Sequence, residues 1–308
     1  MTRNLISIVS AVYNKADWLP ATLARCQGLD VPNGWDVEFI FADDGSTDHS
    51  VSLLRDAAQL DPRIQIIANA ENRGPAVRIN QAAAAAKGRY ILPMDADDLL
   101  PQNALTFLLK VATENDMPLV FGKSRRASDA PPIPVEAQII QTDQPLAFCA
   151  RRQIVHMGFL VAAEIWRAAG GADEKVFIQD QSLPLRLAAK ADRLAYVEAV
   201  IYWLTPQEGT NLSTNVMQQH HDRFFSCLPL YRDPAIDAAA RSALGRQMVS
   251  AVWKARRDAG KPFPHVSSAF MAYLRNRLFK SLPSDRFLAE VEQAFLDLPN
   301  VRRIEVML

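Results

Sequence analysis

The sequence predicts an α/β protein, in which a mostly parallel mixed sheet is flanked by helices and followed by a C-terminal helical extension. Short β-rich segments alternate with helical segments from residue 5 to about 126, which is typical of βαβ units and a parallel sheet. From about residue 216 the pattern is helical only. Of the 308 residues 49% are hydrophobic and 22% charged, so the chain has enough apolar material for a packed core.

Local signals predict five strands and four helices in the first 126 residues. Apolar runs mark the strands, and helical spacing of apolar residues marks the helices. Asp48 is a candidate N-cap, Gly88 a candidate helix end, and Pro101 suits a first helical turn. The strands are Leu5–Val12, Val37–Ala42, Ile64–Ala68, Tyr90–Met94 and Leu119–Gly122, and the helices are Ala16–Cys26, Asp48–Leu60, Pro75–Lys87 and Pro101–Asn115.

The later part of the chain has a mixed order of elements. The proline-rich segment 128–134 breaks the alternation and predicts a loop or a crossing of the sheet. The remaining predicted elements are an apolar stretch at Phe159–Ala163, a helix over Gln181–Ala191, a strand over Ala195–Leu204 and helices near 216–231, 234–259, 265–280 and 284–297.

Charge is balanced over the whole chain but polarised along it. The chain has 34 basic and 34 acidic residues, which argues against a surface built as a whole for nucleic acid or membrane. Residues 1–120 contain ten basic and fifteen acidic side chains, whereas residues 241–280 contain nine basic and one acidic. This second segment predicts a basic face. Its aromatic residues indicate either core packing behind a solvated charged face or a peripheral contact with anionic lipid or acceptor.

The chain ends and cysteines predict a cytoplasmic protein. The N-terminus passes directly into an apolar strand pattern, so we expect no signal peptide, and no apolar run is long enough to span a bilayer. The cysteines Cys26, Cys149 and Cys227 are too far apart for a metal-binding pair, and we expect three reduced, packed thiols. The expected location is cytoplasmic, with a peripheral association at the inner face of the membrane as the further option.

Two acidic clusters follow strands of the predicted sheet. Residues 43–48 follow the second strand and residues 95–98 follow the fourth. Because ligands of parallel α/β sheets bind at the carboxyl ends of the strands, the clusters are candidate functional groups. Crowded carboxylates repel each other unless a cation offsets the charge, and Mg²⁺ uses one or two carboxylates together with phosphate oxygens. The alternative interpretation is that these residues only form helix caps and turns.

The sequence excludes four other motifs. A calcium loop that begins at Asp95 would need glycine at its sixth position and glutamate at its twelfth, where this chain has Leu100 and Thr106. No GxxxxGK[ST] or GxGxxG pattern is present. A phosphatase with an aspartyl nucleophile would need an acid at Ala42.

Four ordered segments resemble family 2 glycosyltransferases with the GT-A fold, a Rossmann-like architecture. They are Ser7–Asn14, Phe39–Asp48, Asn72–Asn80 and Gly88–Asp98, and the resemblance covers roughly the first 115 residues. It implies a nucleotide-sugar donor, most often a UDP-sugar, a Mg²⁺ or Mn²⁺ ion and inversion at the anomeric carbon. It also implies a saccharide or lipid-linked acceptor, and no nucleic acid partner.

The resemblance implies a role for each matching residue. Asp98 is expected to cap the following helix or to support its neighbours. Expected donor contacts are Ala11 and Tyr13 against the nucleobase, Asp43 as its hydrogen-bond acceptor, Arg73 near the base or the phosphates, Asp95 on the ribose or sugar and Asp97 on the metal.

A second, weaker resemblance places the catalytic base at Asp180. The stretch 170–183 is similar to the family segment that ends in a Glu-Asp pair, although Gln179 replaces the glutamate. The alternative role of Asp180 is helix capping, which is compatible with base chemistry. Residues 209–214 resemble the loop that closes over the donor, but Thr205–Gln207 provides no Arg or His there. His156, His220 and His221 lack the spacing of a zinc site.

The sequence therefore favours one function over two alternatives. It predicts a metal-dependent inverting glycosyltransferase for surface polysaccharide or glycolipid, with a domain at 1–214 and a helical region at 215–308. Within the domain, 1–126 would bind the nucleotide-sugar and 127–214 the acceptor. The first alternative is a non-catalytic nucleotide-sugar-binding or scaffold protein, which Gln179 supports. Nucleotidyl transfer would need a glycine-rich basic loop after the first strand, and residues 11–14 do not form one.

Overall fold

A computed structural model describes residues 4–206, 215–260, 267–279, 281–296 and 301–302. In this part of the chain, eight strands form one mixed sheet. The strands are β1 (Leu5–Val12), β2 (Asp36–Asp43), β3 (Ile64–Ile67), β4 (Tyr90–Pro93), β5 (Leu119–Arg126), β6 (Ile139–Thr142), β7 (Leu160–Ala162) and β8 (Leu194–Leu204). Their order across the sheet is β3-β2-β1-β4-β7-β5-β8-β6.

Eleven helices occur among the described residues, and the last four of them follow β8. They are α1 (Leu19–Gln27), α2 (Ser50–Leu60), α3 (Pro75–Ala85), α4 (Ala104–Glu114), α5 (Pro145–Arg152), α6 (Ala163–Ala169), α7 (Gln179–Ala188), α8 (Val216–Arg232), α9 (Ala238–Asp258), α10 (Ser268–Phe279) and α11 (Asp285–Leu296). None of these helices is long and apolar enough to cross a bilayer.

The sheet is parallel from β3 to β4 and mixed beyond β4, in agreement with the predicted mostly parallel mixed sheet. Strand β1 pairs in parallel with β2 and β4, β2 with β3, and β5 with β8, whereas β7 is antiparallel to both β4 and β5. Every residue of β1 except Ala11 is buried, which explains its continuous apolar sequence. The register pairs Val12 with Asp43 and Val9 with Pro93, so the acidic clusters follow strands on either side of β1.

The described residues group into two compact units. The first contains the sheet and lies within Met1–Asp143, His156–Ala172 and Lys190–Glu208. The second lies within Gln144–Val155, Asp173–Ala189 and Gly209–Leu308, and contains α5, α7 and the C-terminal helices. The predicted functional boundary at 214 stays a prediction.

Several predicted element ends are wrong, for local reasons. Helix α2 begins at Ser50 with His49 as N-cap, and Asp48 instead accepts from the amides of Ser50 (2.9 Å) and Ala16 (3.0 Å). Helix α3 ends before Gly88, where a Cβ would lie 2.6 Å from the Ser7 hydroxyl oxygen. Gly88 therefore permits close approach to β1.

Three short elements were not predicted, and the three thiols match expectation. Strand β6 and helices α5 and α6 have four to eight residues, too few for a clear hydrophobic period. The cysteines are buried and unoxidised, and burial raises the pKa of Cys26 and of Cys227 to about 12.

Candidate active site

The loop after β1 is held against the loop after β2. The Asn14 amide donates to the Ser46 hydroxyl (2.9 Å), and the Thr47 amide donates to the Asn14 side-chain oxygen (2.9 Å). Asn14 has a φ of 51°, a left-handed conformation that asparagine tolerates. This loop places Tyr13 with 43% of its surface exposed, while the preceding Ala11 is half-buried beside Ala42. An aromatic face is thus offered to solvent from a fixed backbone.

Asp43 ends β2 with one carboxylate oxygen occupied and one without a hydrogen-bond partner. The side chain is 1% exposed, and its Oδ2 accepts from the amides of Gly45 and Ser46, both at 3.0 Å. Its Oδ1 is buried and has no partner among the described residues. A buried acceptor without a donor costs free energy, so a ligand N–H placed there would be bound favourably.

The neighbouring Asp44 has a different environment, because other groups of the protein donate hydrogen bonds to both of its carboxylate oxygens. It accepts from the amides of Arg73 and Gly74, each at 2.8 Å, and from Arg78 Nε at 2.7 Å. The Arg78 and Asp44 side chains are 5% and 3% exposed, so they form a buried ion pair. Sequence analysis missed Arg78, although an arginine on the buried face of the Ala-rich α3 was a usable signal. Arg73 itself has an exposed side chain on the loop that Asp44 holds.

The second acidic cluster is attached to the end of β8. The Asp95 amide donates to the Tyr202 hydroxyl (2.8 Å), and the Thr205 amide donates to Asp98 Oδ1 (2.9 Å). Burial, reinforced by the negative charge of Asp97, raises the pKa of Asp98 to about 7. Burial also raises the pKa of Tyr202 well above its usual value. Asp98 therefore does not cap the following helix, which begins at Ala104 with Asn103 as N-cap, and its expected role in supporting its neighbours stays a prediction.

Asp97 forms an ion pair with Lys15 beside a small cavity. The Lys15 ammonium contacts Asp97 Oδ2 and also lies 5.1 Å from the centre of the Trp18 ring. A cavity of about 240 Å³ adjoins Asp97 and is also lined by Trp18, Thr22 and Thr205. Lys15 is not among the residues that the sequence motifs indicate. Its ammonium group already balances the negative charge of the Asp97 carboxylate.

The donor set fits a divalent ion only if a substrate completes its shell. Within the described ranges no three His, Cys, Asp or Glu side chains are arranged to hold a metal. Asp95 and Asp97 lie on the same loop with one residue between them, and their carboxylates are hard oxygen donors. Mg²⁺ commonly binds one or two carboxylates and completes its coordination shell with water and phosphate oxygens. The loop therefore suits a metal that arrives with a diphosphate.

Asp180 lies in the second unit, in the first turn of α7. The N-cap of this helix is Ile178, which has no side-chain capping bond, so Asp180 is within the helix rather than its cap. The Ile178 amide donates to Asp222 Oδ2 (2.7 Å), and Asp222 is fully buried on α8. Its Oδ1 accepts from Gln218 (2.8 Å) and lies 2.7 Å from His221 Nδ1. Sequence analysis missed Asp222, which fixes the chain two residues before Asp180.

The other histidines also have structural partners. His156 is buried between the carbonyls of Met157 (2.6 Å) and Gly122 (3.0 Å), and burial lowers its pKa. His220 lies 2.8 Å from Asp258. The predicted closing loop, 209–214, lies outside the described residues.

Comparison with known proteins identifies the family. The profile of glycosyl transferase family 2 matches residues 7–160, which is half of the chain. The chain belongs to glycosyl transferase family 2. The match includes both acidic clusters and the exposed Tyr13.

Family 2 relatives match this chain over its first part. A putative teichuronic acid biosynthesis glycosyltransferase, TuaG of Bacillus subtilis, is 32% identical over 130 residues, which are 42% of this chain and 50% of that protein. The succinoglycan biosynthesis protein ExoO of Rhizobium meliloti is 34% identical over 107 residues, 35% of this chain and 29% of that protein. The chain spans about half the length, or less, of these curated relatives.

Solved structures of glycosyltransferases share the fold along most of the chain. S. aureus TarS 1–349 in complex with UDP-GlcNAc has a TM-score of 0.67 at 15% identity, covering 94% of this chain and 91% of that one. A Pyrobaculum calidifontis mannosyltransferase in complex with GDP-Man and Mn²⁺ has a TM-score of 0.59 at 17% identity, covering 94% and 84%. These similarities establish the GT-A fold of this family 2 member.

Proposed function

We propose that this chain is an inverting glycosyltransferase, which moves a sugar from a nucleotide-sugar to an acceptor hydroxyl. The observation that carries the proposal is the unpartnered, buried Oδ1 of Asp43, on the strand beside β1. The 95–98 cluster follows β4 on the other side of β1. A ligand with a hydrogen-bonding base at one end and negative phosphates at the other suits this edge.

In the proposed donor complex, the first unit binds the nucleotide. Asp43 Oδ1 accepts a hydrogen bond from the base, which lies against Ala11 and the exposed ring of Tyr13. Arg73, whose side chain is exposed, supplies positive charge to the base or the phosphates. We propose a UDP-sugar as the first donor to test, because the structurally similar TarS was solved with UDP-GlcNAc.

Asp97, with Asp95 nearby on the same loop, is the proposed ligand of Mg²⁺ or Mn²⁺. When bound, such an ion would neutralise the charge that grows on the leaving diphosphate. Asp95 is also the proposed contact to the ribose or sugar. Lys15 balances Asp97 before the donor binds, and its flexible four-carbon stem allows its ammonium to turn towards phosphate oxygens.

Asp180 is the proposed catalytic base on the acceptor side. It would take the proton from the acceptor hydroxyl while the hydroxyl oxygen attacks the anomeric carbon and the diphosphate leaves from the opposite face, which inverts the configuration. The names of TuaG and ExoO, which mention teichuronic acid and succinoglycan biosynthesis, support an acceptor in polysaccharide synthesis, and a glycolipid acceptor is the further option. We assign donor binding to 1–126 and acceptor binding to 127–214.

A non-catalytic role is the second candidate. Gln179 stands where the family has glutamate, and Thr205–Gln207 contributes no basic residue to the diphosphate. Such a protein would bind the donor in the same pocket and leave it intact. Donor turnover separates the two functions.

Calorimetry with a panel of nucleotide-sugars, with and without Mn²⁺, tests donor binding, and chromatographic detection of released nucleotide tests transfer. We expect Asp180→Asn to bind donor as the wild type does and to lose about 10²–10⁴-fold in turnover, as is typical for loss of a positioned base. Asp56→Asn, at an exposed position of α2, is the matched control. Normal turnover by Asp180→Asn would exclude it as the base, and binding without any release would favour the non-catalytic role.

A further inference from the structure

A basic groove lies in the second unit, between the C-terminal end of α5 and the first turns of α9. Its volume is about 850 Å³. Small or apolar side chains line much of it, and three arginines stand among them, Arg151, Arg241 and Arg246. Among the residues that the structure describes, no carboxylate belongs to the lining. The groove therefore combines open space, an apolar wall and uncompensated positive charge.

Within the described ranges, none of the three guanidinium groups forms an ion pair with an acidic side chain. Arg241 donates to the backbone carbonyls of Tyr231 (2.7 Å), Asp233 (2.9 Å) and Ile236 (3.0 Å), which fix its position but leave its charge. Arg151 and Arg246 are exposed and belong to no ion pair within the part of the chain that the structure describes. An arginine fork is well matched to phosphate oxygens.

The floor of the groove is held by a buried glutamine. Gln247 donates from Nε2 to the Ala150 carbonyl (2.6 Å) and joins α9 to α5. The Cys227 thiol contacts its Oε1 at 3.7 Å. Helix α5 ends at Arg152, and its C-cap, Gln153, has a left-handed backbone with a φ of 53°. Because these contacts fix both walls, the opening exists before a ligand binds.

One exposed apolar side chain lines the groove, and two more are exposed at the end of α10 in the same unit. Leu282 lines the groove and is 46% exposed, and Leu278 and Phe279, at the end of α10, are 67% and 75% exposed. The segment that carries Leu282 is fixed, since Asn276 binds the Ser281 carbonyl (2.9 Å) and the Tyr231 hydroxyl binds the Pro283 carbonyl (3.1 Å). Exposed apolar groups beside basic ones are the signature of an interfacial surface.

We propose that this groove binds the phosphate headgroup of an anionic lipid at a membrane surface. Arg151 and Arg246 pair with the phosphate, while Leu278, Phe279 and Leu282 contact the acyl boundary. This inference stands independently of the glycosyltransferase proposal, because it uses none of the donor-site residues.

Vesicle sedimentation of the full chain tests the site. We expect binding to phosphatidylcholine vesicles that contain phosphatidylglycerol, no binding to phosphatidylcholine alone, and weaker binding in high salt. At about 1 kcal/mol for each basic residue near an anionic surface, Arg151→Gln/Arg246→Gln should lower the partition coefficient roughly 30-fold. The matched control, Arg55→Gln/Arg286→Gln, removes the same charge from two exposed positions elsewhere and should bind as the wild type does.

Each remaining outcome overturns the proposal. Equal partition of the groove variant and the wild type would exclude the groove as the lipid-binding site. A wild type that does not bind anionic vesicles would exclude it too.

Inorganic phosphate is added in a separate experiment. If millimolar-range phosphate, on the order of physiological levels, displaces the vesicles completely, the site is one for free phosphate, since the lipid contacts then add nothing. If an acidic polysaccharide binds and vesicles do not, the groove is an acceptor surface. Circular dichroism confirms that the variants fold.

Discussion

The adjacent aspartates Asp43 and Asp44, at the end of β2, should respond differently to substitution by asparagine. Asp44 accepts three internal hydrogen bonds and pairs with buried Arg78, whereas Asp43 has a buried oxygen without a partner. We predict that Asp44→Asn mainly lowers stability and that Asp43→Asn mainly lowers donor affinity.

The magnitudes follow from burial. Asp44→Asn leaves the guanidinium of Arg78, whose side chain is 5% exposed, without its carboxylate, and breaking such a buried pair costs about 3–5 kcal/mol. For a unit of 150–250 residues this corresponds to a fall in Tm of roughly 6–20 °C. Asp43→Asn keeps one oxygen for the amides of Gly45 and Ser46, so we expect little change in Tm. Loss of a charged acceptor to the base, about 1.5–3 kcal/mol, should weaken nucleotide binding roughly 10- to 100-fold.

Two assays separate these effects. Thermal unfolding measures Tm, and calorimetry with UDP and Mn²⁺ measures Kd for both variants. A third variant, Asp44→Asn/Arg78→Met, removes both charges and should recover part of the lost stability, because no buried charge remains unpaired. Wild-type stability of Asp44→Asn would refute the buried ion pair. Wild-type Kd for Asp43→Asn would show that the free oxygen does not contact the base.

Two further predictions concern buried carboxyl groups. The pKa of Asp98 rises from 3.8 to about 7 in the folded chain, so this group binds more protons in the folded than in the unfolded state. Its ionisation should therefore lower the stability of the folded chain as pH rises from about 4 to 7, measured with chelator present. Over that range the Tm of the wild type should fall by an amount that Asp98→Asn does not show, and an equal fall in both proteins would contradict the raised pKa of Asp98. Asp222→Asn weakens the acceptor that holds the Ile178 amide, so turnover should fall more than donor Kd changes, provided that Asp180 is the base. A donor Kd that weakens as much as turnover falls would instead point to a general loss of folding.

Much of the first unit could be predicted because its signals are local. Strands β1 to β5 are short apolar runs, and helices α1 to α4 follow the first four strands in the expected order. The parallel part of the sheet, β1 to β4, was therefore predictable. The acidic clusters were also found, since residues that follow parallel strands share one edge. Short elements such as α5 and α6 were missed because seven or eight residues give little periodicity.

Partners that are distant in sequence were beyond such reasoning. Asp98 binds the Thr205 amide 107 residues away, and Asp97 pairs with Lys15 82 residues before it. No pattern in either segment indicates these contacts, because a hydrogen bond depends on where the chain returns in space. The same limit applies to Asp222 and Ile178, separated by 44 residues.

The sequence by itself determined the α/β order, the family resemblance and the two acidic segments, because each depends on neighbouring letters. Only the tertiary structure decided which carboxylate of Asp43 and Asp44 keeps a buried oxygen without a partner and which is paired with a buried arginine. The two side chains are chemically identical. They differ because one carboxylate meets a buried guanidinium and two amides from α3 and the loop before it, while the other keeps an oxygen without a donor.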